Sequence, residues 1–185
     1  MDGAALTNTE HRYGWIAMLL HWGMAVLLVG LTGLGIYMVR LPNVGFDQEK
    51  ITLILVHKAL GMTVLAVALA RLLWRLTNAL PRFVDTLPPW QQVGARFVHM
   101  WLYVLMFLLP VTGWLMSSAG GYPTPVFSWF NVPDLIGRNE HLFQTLIAVH
   151  RWLAYAFACV VVLHTSAALR HHFGLHDETL RRMFP

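Results

Sequence analysis

Four apolar stretches, each long enough to cross a bilayer, constrain this sequence more than any other feature. They run roughly from Trp15 to Val39, Ile51 to Leu73, Phe97 to Met116 and Leu142 to Leu169. A helix needs about 20 residues to cross the hydrocarbon layer. The pattern therefore predicts an all-α chain, a transmembrane four-helix bundle forming one domain over residues 1–185. Composition agrees, with 57% of residues hydrophobic and 12% charged, where soluble proteins average about a quarter charged. Cys159 is the single cysteine, which excludes a disulfide scaffold, and 12% aromatic residues exclude a disordered chain. The 13 basic and 9 acidic residues leave a formal charge of +4, but the basic residues do not cluster as nucleic-acid binding requires. No nucleic-acid partner is expected. Residues Met1 to Gly14 carry Asp2, Glu10 and Arg12 rather than a basic leader. The apolar run that follows is too long for a signal-peptide core, so a retained first helix is expected.

Four crossings put both termini on one side. That side, with the second connection, holds eight basic residues: Arg12, Arg71, Arg75, Arg82, Arg96, Arg170, Arg181 and Arg182. The opposite side holds five, Arg40, Lys50, Lys58, Arg138 and Arg151. The positive-inside rule then predicts both termini in the cytoplasm. Pro81, Pro88 and Pro89 predict a second connection that is not helical throughout. The longest loop is expected outside, from Ser117 to His141, with Tyr122, Phe127, Trp129 and Phe130 as an aromatic interfacial segment.

Ten histidines are too many for such an apolar chain, and five of them lie in or at the edges of the spans: His21, His57, His99, His150 and His164. An imidazole in hydrocarbon is costly unless its nitrogens are bound, so these are functional candidates. His150 and His164 are fourteen residues apart on one stretch. At 100° per residue that is about 40° short of four turns, and at 1.5 Å per residue it is roughly 21 Å of axial rise. Both rings share a face, one near each membrane surface. This is the spacing of two stacked haems. Each iron needs a second axial ligand at matching depth: His57 for His150 on the outer side, and His21 for His164 on the inner side. His99 rivals His21 but enters at a shallower level, so His21 is preferred. Two bis-histidine b-type haems result, an arrangement suited to electron transfer rather than oxygen binding. One such histidine alone would read as an interhelical hydrogen bonder; four that pair by depth do not. Fourteen-residue spacing also cannot bring both nitrogens to one zinc or copper ion.

Neighbouring residues allow two readings each. Gly61, one turn after His57, lets a flat macrocycle approach the backbone or simply packs against another helix. Arg71, fourteen residues after His57, either pairs with a propionate or snorkels to the interface. Lys58 and Arg151 follow the two outer ligands, where they neutralise propionates, attract small anions or anchor the interface. His171, seven residues past His164, is placed to give a proton to a quinone head group beside the inner haem, or joins His172 and His176 in a wet cationic collar.

The stretches around His21-Trp22, His57-Lys58-Ala59-Leu60-Gly61 with Arg71-Leu72-Leu73-Trp74-Arg75, Pro110-Val111-Thr112-Gly113-Trp114, and His164 through His171-His172-Phe173 to Leu180-Arg181-Arg182-Met183 resemble the bacterial cytochrome b561 family. The resemblance covers nearly the whole chain. It implies a dihaem carrier of the bacterial inner membrane, with His21, His57, His150 and His164 as axial ligands to two haems b. It also implies exchange with the ubiquinone pool, with His171 at the quinone side. Some members are similar to superoxide:ubiquinone oxidoreductases, so an outer donor such as superoxide is one expectation. A periplasmic redox enzyme docking on the Ser117–His141 loop is the other. Two positions depart from the family pattern: Arg151 stands where an acidic residue is usual, and Leu175 where the superoxide-associated branch has Trp. The oligomeric state is left open by the sequence.

Overall fold

A computed structural model describes residues 5–42, 47–84 and 87–184; Asp2 lies outside the described residues. The four spans are helices: α1 Trp15–Arg40, α2 Gln48–Thr77, α3 Pro89–Gly120 and α4 Glu140–Leu169. All four are long and apolar enough to cross a membrane. Their ends follow capping chemistry. Asp47 accepts from the Lys50 N–H at 3.1 Å and Asn139 from the Leu142 N–H at 3.0 Å, each satisfying a first-turn donor. Gly121 closes α3 at φ 70°, a left-handed conformation that costs glycine nothing, and its N–H returns to Ser117 and Ser118 carbonyls.

Two expectations about the loops need correction. The third helix begins at Pro89, eight residues before Phe97. Pro89 sits at the first helical position, where its missing N–H has no partner to lose, so the proline starts the helix instead of interrupting it. The Ser117–His141 segment is shorter as a loop than expected, because α3 runs to Gly120 and α4 starts at Glu140. Between them lies a small antiparallel hairpin, β1 Thr124–Val126 against β2 Phe130–Val132, with Thr124 opposite Val132. Phe127 at its turn has φ 52°.

Every helix contributes to one central layer: Met24 from α1, Val64 and Ala68 from α2, Leu105 and Met106 from α3, Phe157 from α4. Outward faces are just as apolar, as Leu19, Val26, Val29, Leu69, Leu73, Val162 and Leu163 show. Apolar side chains on both faces suit a bundle whose exterior is lipid. Backbone packing is unequal. Neighbours in sequence pack closely, α1 on α2, α2 on α3 and α3 on α4, whereas α4 makes no comparable backbone approach to α1 or α2. Side chains bridge those two separations.

Past α4 the chain tightens into a π-helical turn, Arg170–Leu175, and reverses at His176, φ 53°. The tail then ties together the end of the bundle that carries both termini. Trp22 Nε1 donates to the Met183 carbonyl at 2.7 Å, Arg12 to that of Phe184 at 2.8 Å, and Arg182 to that of Arg82 at 2.6 Å.

Candidate functional site

The bridging side chains are the histidines. On one level His57 of α2 and His150 of α4 face each other with ring centroids 6.5 Å apart. On the other, His21 of α1 and His164 of α4 are 6.2 Å apart. A metal–imidazole bond of about 2 Å and about 1.1 Å from nitrogen to ring centre place two trans ligands of one ion about 6 Å apart. Both separations fit an iron held between two imidazoles. His99 of α3 approaches His164 more closely, at 5.1 Å and edge-on like His21, about 1 Å less than two ligands of one ion require. It packs edge-on beside the inner pair.

The outer pair is braced from behind. The Thr112 hydroxyl donates to the Leu109 carbonyl at 2.9 Å and lies 3.0 Å from His150 Nδ1. With its one proton committed, the hydroxyl oxygen accepts from Nδ1–H, which leaves the lone pair on Nε2. A ring so held is oriented as a metal ligand requires. His57 Nδ1 is buried and has no hydrogen-bond partner among the described residues. A glycine of a neighbouring helix backs each ring: a Cβ on Gly35 of α1 would come within 3.2 Å of His57 Cε1, and one on Gly113 of α3 within 3.4 Å of His150 Cε1. Sequence reasoning assigned neither glycine this role, Gly113 standing only within the Pro110–Trp114 stretch, since a close approach between helices leaves no periodic signal. At Gly61 a Cβ would meet nothing within 4 Å, so the backbone there is open to a flat ligand.

The inner pair lies beside cations. Arg71 reaches His21 Nδ1 at 2.9 Å and donates from Nε to the Tyr103 hydroxyl at 3.2 Å. Arg75 stacks on the Tyr103 ring at 5.6 Å. No carboxylate pairs with either arginine among the described residues, so two guanidiniums share one aromatic platform beside the inner imidazoles.

The remaining candidates separate. Lys58 donates to the Pro123 carbonyl at 3.0 Å and lies 5.6 Å from the Tyr122 ring, which ties α2 to the hairpin. Arg151 is exposed on α4. His171 is buried, 9% exposed, and its Nδ1 meets Asp177 Oδ2 at 2.5 Å. It is therefore not part of a wet collar; of that trio only His176 is exposed. Asp177, which the sequence did not single out, is its hydrogen-bond partner.

Four helices long enough to span a membrane, with two histidine pairs spaced along α4, suit a b-type membrane cytochrome. The family model for prokaryotic cytochrome b561 matches residues 12–185, and the chain belongs to that family. Three relatives align along nearly their whole length. Cytochrome b561 homolog 2 of Escherichia coli (strain K12) is 35% identical over 97% of this chain and 94% of its own. Cytochrome b561 homolog 1 of the same organism is 27% identical over 95% and 98%. A protein named probable superoxide oxidase CybB, from Yersinia pestis, is 30% identical over 94% and 96%. The chain is thus a multi-pass electron-transfer cytochrome of the bacterial inner membrane that binds haem b.

Proposed function

We propose that the protein holds two haems b, an outer one between His57 and His150 and an inner one between His21 and His164. Electrons pass through them from an outer donor, superoxide in the first instance, to ubiquinone beside His171, with both termini cytoplasmic. The observation that carries this reading is the pair of centroid separations, 6.5 and 6.2 Å, recurring fourteen residues apart on α4. Haem held by these histidines would supply one-electron redox chemistry.

The protein's own residues hold and tune that chemistry. Thr112 keeps the His150 proton on Nδ1. At His21 the same result needs a rearrangement. A guanidinium only donates, so its contact places the imidazole proton on Nε2. To ligate through Nε2, His21 would carry its proton on Nδ1, and Arg71 would then be free, with Arg75, to neutralise haem carboxylates. Gly61 supports the reading by leaving its side of α2 open. Exposed Arg151 with Arg40 and Arg138 supplies outer positive charge, while Lys58 is engaged by the hairpin.

The name of the Yersinia pestis relative favours superoxide as donor. The test is superoxide-driven reduction of ubiquinone-1 by purified protein, followed at rising ionic strength. A rate that falls steeply with salt supports steering of the anion; a flat profile contradicts it. A second reading rests on the hairpin, where Trp129 is 78% and Phe130 59% exposed. Such aromatics suit docking of a periplasmic redox enzyme. Deleting residues 122–137 would then abolish reduction by that enzyme and spare reduction by superoxide.

A further inference from the structure

A quinone becomes a quinol by taking two electrons and two protons. The haems would supply electrons one at a time, but protons must come from side chains that water can reload. At the end of α4, among the described residues, a part-buried acid–base pair is formed by His171 with Asp177.

The backbone is shaped to make this pair. Six residues along a regular helix would carry the second side chain about 9 Å away and to another face. Here the π-helical turn Arg170–Leu175 and the left-handed His176 reverse the chain, and the Asp177 N–H returns to the His171 carbonyl at 3.2 Å. A non-glycine residue at positive φ is uncommon, and π-helical turns recur at functional sites. Asp177 is itself oriented independently of the imidazole, because its Oδ1 accepts the Thr179 N–H at 2.9 Å. Its Oδ2 then meets Nδ1 of His171, and both side chains are only 11% exposed. No described residue hydrogen-bonds His171 Nε2.

We infer that Asp177 is a positioning residue for proton delivery by His171: its carboxylate holds the imidazole proton on Nδ1, stabilises the imidazolium and leaves Nε2 to face a quinone oxygen. The inference rests on the reading of His171 as the quinone-side acid. In the step, the Nε2–H bond breaks as the O–H bond forms, the imidazolium becomes neutral, and the electrons come from the reduced cytochrome. Water returns the proton to Nε2. A carboxylate on the far nitrogen favours this cycle by fixing the tautomer and balancing the positive charge. Burial pushes the Asp177 carboxyl up, but hydrogen bonds from Thr179 and His171 pull it below the ordinary range, so it is ionised and able to serve.

The test mixes haem-loaded, dithionite-reduced and desalted protein with ubiquinone-1 and follows haem reoxidation in wild type, Asp177→Asn and His171→Gln. Asp177→Asn preserves shape and removes the charge. The expected result is a kcat at least tenfold lower with KM for ubiquinone-1 within twofold, unaltered haem spectra, a larger slowing in heavy water than wild type, and recovery in Asp177→Glu. Wild-type reoxidation in Asp177→Asn with a slow His171→Gln would overturn the inference alone. Wild-type reoxidation in both would overturn the quinone-side reading as well. Loss of haem from Asp177→Asn would make the residue a structural clasp, and would equally overturn the inference.

Discussion

His57 on α2 and His150 on α4 face each other at 6.5 Å, and each ring rests against a glycine from a third or fourth helix, Gly35 of α1 or Gly113 of α3. All four helices thus converge on one imidazole pair, although α2 and α4 themselves do not pack closely. The geometry of the outer site is set by what is absent from two side chains as much as by the ligands.

Gly35→Val is therefore expected to push His57 off its axis. Even the Cβ would lie 3.2 Å from Cε1, and overpacking of this kind costs about 1–3 kcal/mol. Haem content measured by extraction should fall by about one haem per chain, with the loss confined to one spectral component. Gly61→Ala, with open space around the added methyl, is the contrasting variant: its ligands should stay in register, so any effect should fall on the macrocycle's potential rather than on retention.

Thr112→Val removes the acceptor from His150 Nδ1–H. The ligand becomes less electron-rich, so ferric iron is less stabilised and the outer haem's midpoint potential rises. A shift of roughly 50 mV is expected, about 1 kcal/mol for one electron. Spectroelectrochemical titration should show one component moving and the other fixed.

Arg71→Gln removes a cation beside the inner pair. Positive charge favours the added electron, so the inner potential should fall, again by roughly 50 mV. Movement of the outer component instead would place Arg71 with the wrong haem.

Acid should loosen the C-terminal clasp. The folded Asp177 carboxyl lies below its ordinary value because hydrogen bonds from Thr179 and His171 outweigh burial. The stability it contributes is present above the unfolded value, about 3.9, and is lost as pH falls through the folded one. Protection from hydrogen exchange at residues 176–184, relative to the unfolded chain at the same pH, should diminish below about pH 4. In Asp177→Asn it should be low at every pH.

Much of this was legible in the residues. The spans follow from hydropathy, and the two levels follow from helical periodicity between His150 and His164, both of which are local properties. The preference for His21 over His99 rests on depth, and both rings lie beside His164, at 6.2 and 5.1 Å. What escaped depends on contacts distant in sequence or on unusual backbone. The early start of α3 at Pro89 lies in a polar extension that no hydropathy pattern marks. Strands of three residues with Pro125 in one of them carry too little alternation to register. Lys58 reads as a charge for a propionate, a lure for anions or an interface anchor, because nothing in the sequence places the Pro123 carbonyl beside it. Asp177 meets His171 only because the helix loosens into a π turn and reverses at His176.

The most direct measurement is a count of haem b per chain in wild type, His57→Ala and His164→Ala, with reduced-minus-oxidised spectra of each. The account predicts two haems in wild type and one in each variant, with a different spectral component missing in each. A single haem in wild type, or the same component lost from both variants, would contradict two irons clasped at opposite ends of α4.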